Sequence, residues 1–187
     1  KEEEIEGILN IIRDYADIEN AEILLEAHPK FISNSMIDYL SGLRNCTINF
    51  GIQSLNDEIL SSMKRQCSGI EILRKIDFAK ERVGTIGIDY ISGWPTSNYK
   101  IITEDIKYIE SMEPDHISQY PLYLTSCLEN LYLHNNGEKF KIKTAQLSQY
   151  CENRFSSLGY HRYAIFYYQK KGFSHKYGRN QLDGGKW

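Results

Sequence analysis

Apolar residues along this chain recur with two periods that alternate up to about residue 168. Stretches in which they return every three or four positions predict helices, and short alternating or continuous apolar runs predict strands. The predicted helices cover about residues 3–15, 33–43, 57–63, 70–82, 99–112 and 144–157. The predicted strands cover residues 21–27, 47–53, 85–91, 116–122 and 160–168. The last run is aromatic and favours one strand buried on both faces, whereas the tail from Lys170 is Gly- and Lys-rich and is expected to be a loop.

Strands that alternate with helices predict βαβ units, in which parallel strands are joined by right-handed crossovers. Gly84 follows the fourth predicted helix and is its predicted C-cap. The glycine fingerprint of dinucleotide-binding folds is absent from the sequence. The pattern therefore favours an α/β fold built as a partial (β/α) barrel, and an open flavodoxin-like sheet is the alternative.

Each predicted parallel strand carries a polar residue at or near its end. These residues are Glu26, Gln53, Asp89, and the pair Gln119 and Tyr120. In parallel sheets these ends meet at one edge, where ligands bind. Carboxylates accept hydrogen bonds from hydroxyl and amino groups, and an arginine such as Arg65 binds a carboxylate in a bidentate manner. One such residue alone is typical of a helix cap, but the set favours a ligand with hydroxyl, amino and carboxylate groups.

Composition and charge exclude several classes of protein. The 22 basic and 25 acidic residues give a net charge of −3, which argues against a nucleic-acid-binding domain. No apolar run reaches the roughly 18 residues of a membrane span, and the N-terminus lacks a signal-peptide pattern, so we expect a cytoplasmic location without membrane contact. The motifs of Ser hydrolases and P-loop enzymes are absent.

The four cysteines are widely scattered, and no two have the spacing of a zinc or cluster site. They are Cys46, Cys67, Cys127 and Cys151. Because the chain is neither small nor signal-bearing, free thiols are favoured over disulfides. No metal ligand is therefore expected.

Several segments in a fixed order resemble the radical S-adenosylmethionine (SAM) enzymes of the oxygen-independent coproporphyrinogen III oxidase-like family. With Arg65, they are Glu-Ala-His-Pro at 26–29, Gly-Ile-Gln-Ser-Leu-Asn-Asp at 51–57, Ile-Asp-Tyr-Ile-Ser-Gly-Trp-Pro at 88–95, Glu-Pro-Asp-His-Ile-Ser-Gln-Tyr at 113–120 and Gly-Tyr-His-Arg-Tyr at 159–163. The similarity spans about residues 20–175. It implies a partial barrel of the radical SAM type at residues 1–168, and a tail at 169–187 that leads to a further C-terminal region.

The resemblance also implies a SAM site. The residues that match the family's SAM pocket are Glu26, Gln53, Arg65 and Asp89. No catalytic residue is implied. The family's Cys-x3-Cys-x2-Cys loop, which binds a [4Fe–4S] cluster, is absent here. We expect that cluster on a missing N-terminal part, so that this chain alone is inactive. Because the pocket residues are retained, a fragment of a longer protein is favoured over a degenerate relative.

The resemblance implies an enzyme that forms a 5′-deoxyadenosyl radical. It would act as an oxidoreductase or transferase on a porphyrin-like or other aromatic substrate, with flavodoxin or ferredoxin as electron donor. The alternative is a haem-binding or haem-trafficking protein of the same family without turnover. The family's haem motif is not matched, because Ala164 follows Tyr163 and His175 is out of register, which favours a loop histidine. The third hypothesis is an α/β barrel domain that binds another ligand.

Overall fold

The structure is a computed structural model that describes residues 2–16, 18, 20–123 and 137–173. Within these residues the chain forms six helices and six strands. The helices are α1 (Glu2–Arg13), α2 (Asn34–Ser41), α3 (Asp57–Ser62), α4 (Gly69–Lys80), α5 (Tyr99–Met112) and α6 (Gly137–Ser157). The strands are β1 (Ile23–Ala27), β2 (Cys46–Gln53), β3 (Thr85–Ser92), β4 (His116–Pro121), β5 (Tyr160–Ala164) and β6 (Tyr167–Lys170). None of the helices in the described ranges is long and apolar enough to cross a membrane.

All six strands form one sheet in the order β1-β2-β3-β4-β6-β5. The first four are parallel neighbours, and β6 runs antiparallel to both β4 and β5. A flavodoxin-like sheet would reverse its strand order after the first unit. The sequential order therefore confirms the predicted mixed α/β fold with a mostly parallel sheet and alternating helices. In the part of the chain that the structure describes, β1 and β5 are the open edges of this sheet.

The two faces of the sheet differ in chemistry because successive side chains of a strand point to opposite sides. On one face, apolar strand residues such as Phe50, Ile88 and Ile117 pack in a single core against α2, α4, α5 and α6. The register places Asn49 beside Gly87, and Asp89 beside Ser118, on the opposite face. We call this opposite side the polar face. Burial of the apolar side stabilises the sheet, and the side chains of the polar face remain available for binding or catalysis.

The aromatic run at 160–168 forms a hairpin, so the prediction of one strand was wrong. Strands β5 and β6 pair around a two-residue turn in which Ile165 is 75% exposed. The turn lacks the Asn-Gly or Gly-x signal that normally marks such hairpins. Tyr160 and Tyr168 are buried in the apolar core. Strand β6 also continues to Lys170, into the segment expected to be a loop.

Two helix boundaries also differ from the sequence analysis. Helix α6 begins at Gly137, seven positions before the predicted 144, and its buried side already includes Phe140. Its many polar residues hide that periodicity. Helix α4 ends in a right-handed C-cap at Glu81, so Gly84 is not its cap. The left-handed C-cap follows α5 instead, at Glu113, where φ is 47°.

Candidate functional site

Two predicted site residues are joined by a third residue that the sequence analysis missed. The side-chain amide of Asn49 on β2 donates one hydrogen bond to Glu26 Oε2 on β1 and one to Asp89 Oδ1 on β3, both at 2.9 Å. Asn49 lies between the two strands in register with Glu26 and is only 5% exposed. The three side chains therefore form a carboxylate–amide–carboxylate bridge across the polar face.

Both carboxyl groups of this bridge are less acidic than usual. Burial is the main factor that raises the pKa of Asp89, while hydrogen bonds from Asn49 and Ser118 act in the opposite direction. Partial burial also raises the pKa of Glu26, although its side chain lies exposed on the edge strand; the Asn49 hydrogen bond lowers this pKa and the charge of Asp89 raises it. A cation or hydroxyl group placed between the two carboxylates would stabilise their ionised forms and so lower both pKa values.

The bridge depends on a glycine in the next strand. A Cβ atom at Gly87 would clash with Oδ1 of Asn49 and come within 3.5 Å of Nδ1 of His116. Glycine therefore gives the Asn49 carboxamide the room to lie flat across the sheet. That same Oδ1 is buried, and it accepts no hydrogen bond from the described residues. The orientation of Asn49 is thus set by its two carboxylate acceptors.

Gln53 and Arg65 come together around Gly51, the residue that pairs with Asp89 in the sheet register. A Cβ at Gly51 would lie 2.9 Å from the Gln53 side-chain nitrogen and 3.8 Å from Arg65 Nη2. Arg65 Nη2 donates to the Gly51 carbonyl oxygen. Arg65 Nε is buried and donates to no acceptor among the described residues. Gly51 thus separates the bridge from an amide and a guanidinium group at the end of β2.

One of the polar residues predicted at the strand ends, Gln119, does not lie on the polar face. Gln119 is buried on the helix-covered face, where its side-chain nitrogen donates to Ser92 Oγ at 2.6 Å and to Ser148 Oγ at 3.1 Å. The expectation that Gln119 joins the other strand-end residues was therefore wrong. The neighbouring Tyr120 contacts Tyr167 instead, with their hydroxyl oxygens 3.5 Å apart.

Aromatic rings extend the polar face beyond Asp89. Nε2 of His116 lies 3.0 Å from the Tyr163 hydroxyl, and the Tyr163 and Tyr167 rings stack with centroids 5.9 Å apart. Tyr120 meets Tyr167 edge to face at 6.3 Å. We call these four residues, His116, Tyr120, Tyr163 and Tyr167, the aromatic cluster. It offers flat apolar surface and hydroxyl groups on the same side as the carboxylates.

A metal cluster does not fit the described residues, which contain no group of three or more potential metal-ligating side chains. Cys46, Cys67 and Cys151 are free thiols. Burial raises the pKa of each of them, to about 11 for Cys46, so they are held as thiols rather than as metal-binding thiolates. Cys127 and His175 lie outside the described residues.

Comparison with known proteins gave relatives but no matching family model. The chain is 25% identical over 194 aligned positions to the haem chaperone HemW of Buchnera aphidicola subsp. Schizaphis graminum, covering 100% of this chain and 50% of that protein. It is 25% identical over 171 positions to the oxygen-independent coproporphyrinogen III oxidase of Synechocystis sp., covering 87% of this chain and 37% of that protein. The chain therefore spans half or less of the length of these relatives.

Among solved structures, the coproporphyrinogen III oxidase HemN of Escherichia coli, described as a radical SAM enzyme, matches with a TM-score of 0.77. The match has 17% sequence identity and covers 98% of this chain and 43% of that chain. It confirms the predicted fold class. Together with the two relatives, it confirms the resemblance to the coproporphyrinogen oxidase-like radical SAM proteins.

Proposed function

We propose that this chain is the central, SAM-binding part of a radical SAM protein related to the coproporphyrinogen oxidases and HemW. Two observations carry the proposal: Asn49 joins Glu26 and Asp89 on the polar face, and Gln53 and Arg65 lie beside Gly51, two positions further along β2. In this proposal residues 1–168 form the core, and residues 169–187 lead to a further region.

The chemistry of these four side chains suits SAM. The ligand carries ribose hydroxyl groups, an ammonium group and a carboxylate. The Glu26 and Asp89 carboxylates, which Asn49 holds side by side, accept from hydroxyl and ammonium groups. Arg65 is anchored on the Gly51 carbonyl beside the Gln53 amide, and a guanidinium group in this place suits an anionic group such as a carboxylate.

The proposed protein needs parts that the described residues do not supply. SAM bound beside a [4Fe–4S] cluster would supply a radical, and that cluster would lie on another part of the protein. The electron donor would be a protein such as flavodoxin or ferredoxin. The aromatic cluster supports a flat substrate such as a porphyrin, because rings stack on rings. The names of the relatives support the same substrate class.

SAM binding to the full-length protein, purified without oxygen, tests this proposal. Asp89→Ala and Arg65→Ala are each expected to weaken SAM binding by roughly 10- to 100-fold, because each removes a charged hydrogen-bonding partner. Circular dichroism should show an intact fold in both. Asp77→Ala, at an exposed position on α4, is the matched control and should bind like the wild type. Unchanged SAM affinity in both site variants would defeat the assignment.

Haem trafficking without turnover is the second candidate, and the similarity to HemW favours it. Iron content and SAM cleavage after reduction separate the two functions. Three to four irons per chain, as a [4Fe–4S] cluster requires, together with SAM cleavage support an enzyme. Stoichiometric haem binding without SAM cleavage supports the trafficking protein.

A further inference from the structure

The turn after β2 is held from the opposite side of the sheet by a buried carboxylate. Asp105 of α5 is 2% exposed. Its Oδ2 accepts from Ser54 Oγ at 2.8 Å, and its Oδ1 accepts from the backbone N–H of Leu55 at 3.3 Å. Oδ2 also accepts from the Tyr90 hydroxyl at 3.2 Å. Two of these three donors belong to the residues that directly follow Gln53.

Gln53 has a backbone conformation that needs such support. Its φ is 65°, in the left-handed region that residues other than glycine seldom adopt. The sheet register shifts between Gly51 and Gln53, and the N–H of Ser54 donates to the Ile52 carbonyl at 2.8 Å. A conformation of this kind persists only where surrounding contacts over-determine it. The side-chain amide that it directs over Gly51 is one of the four candidate SAM-binding groups.

A second contact secures the same turn from the side of α4. A Cβ atom at Gly69 would clash with the carbonyl oxygen of Leu55, so the first turn of α4 lies directly against the turn after β2. The N–H of Gly69 also donates to Asp57 Oδ1 at 2.7 Å. Leu55 is therefore confined between Asp105 and Gly69. The placement of Gln53 is set by residues that do not lie on the polar face.

We propose that Asp105 is a positioning residue that holds the left-handed turn at Gln53 and thereby directs the Gln53 amide toward the ligand. Burial raises the pKa of Asp105 to about 6, so keeping the group ionised is costly. Its two oxygens accept three hydrogen bonds that offset this cost, and two of the three donors, Ser54 and Leu55, lie in the turn after Gln53. The positioning role rests on the proposed function, because it concerns a SAM-binding group.

A double-mutant cycle on SAM affinity, measured with the full-length protein, tests whether Asp105 acts through Gln53. Asp105→Ala and Gln53→Ala are each expected to weaken binding by about tenfold. The double variant should bind no more weakly than Gln53→Ala alone, because a residue that acts through another loses its effect when that residue is removed. Unchanged affinity in Asp105→Ala, or fully additive losses, would overturn the proposal.

Two matched variants separate the turn from the rest of the hydrogen-bond network. Ser54→Ala and Tyr90→Phe each remove one hydroxyl group from Oδ2 of Asp105, but only Ser54 belongs to the turn. Ser54→Ala should weaken SAM binding, whereas Tyr90→Phe should stay within roughly twofold of the wild type. Equal losses in both would assign Asp105 a merely structural role.

Hydrogen exchange without ligand keeps this inference separate from the proposed function. Asp105→Ala is expected to speed amide exchange at residues 53–56 by about tenfold, while Tyr90→Phe leaves it unchanged. If the wild-type protein does not bind SAM, the proposed function fails, and the exchange experiment still decides whether Asp105 holds the turn. Exchange that is unaffected by Asp105→Ala would contradict the positioning role.

Discussion

Asp89 and Asp105 are two aspartates on opposite faces of the same sheet, and burial raises the pKa of both. Asp105 is enclosed by three donors on the helix-covered face and is 2% exposed. Asp89 is half-buried on the polar face and shares the Asn49 amide with Glu26. A perturbed pKa alone therefore does not mark a ligand site. Asp89 differs from Asp105 in being less buried and in accepting from two donors, Asn49 and Ser118, whereas a carboxylate offers about four lone-pair positions.

The same contrast exists between two adjacent residues of β3. Ile88 is 0% exposed in the core, and Asp89 points to the polar face. Ile88→Ala is expected to lower the free energy of unfolding by about 3 kcal/mol, because it leaves a cavity in packed surroundings. Asp89→Ala should change it by less than about 1 kcal/mol, since no core contact is lost. Urea denaturation of both full-length variants measures these changes. Similar decreases in the free energy of unfolding would contradict the assignment of Ile88 to the core and Asp89 to the polar face.

Gly87 offers a second way to test the polar face. Gly87→Ala should displace the Asn49 carboxamide and break the bridge between Glu26 and Asp89, at a cost of about 2 kcal/mol in stability. SAM affinity should fall with it. Gly84→Ala is the control, because a Cβ there meets no atom within 4 Å. If Gly87→Ala binds SAM as Gly84→Ala does, the bridge has no role in binding.

A pH titration tests the burial of Asp105. The folded-state pKa of Asp105, about 6, lies above its ordinary value of 3.8, so its contribution to stability is present below about pH 4 and is lost as pH rises through 6. Between pH 4 and pH 7 the free energy of unfolding of Asp105→Asn should therefore rise, relative to that of the wild type, by on the order of 1–2 kcal/mol. Urea midpoints at both pH values measure this. Glu104, Tyr90 and Cys151 lie near Asp105 and remain in both proteins.

The pattern of apolar residues was enough to predict the four parallel strands and most helices, because burial of one face of the sheet determines which strand positions are apolar, but it did not predict the hairpin of β5 and β6. Asn49 lies two positions before Gly51 and therefore on the same face, so the alternation along β2 could have identified it as a member of the site. The prediction for Gln119 was wrong because adjacent residues of a strand point to opposite faces, so Gln119 and Tyr120 cannot both lie on the polar face. The contacts of Asp105 with Ser54 and Leu55 were not predictable, since they join residues 50 or more positions apart in the sequence.

The structure of the full-length protein with SAM bound tests the central claim most directly. The account predicts that SAM lies over Gly51, with ribose or ammonium groups within hydrogen-bond distance of Glu26 and Asp89 and with Gln53 and Arg65 beside it. SAM bound away from the polar face, or bound there without contact to either carboxylate, would contradict the account.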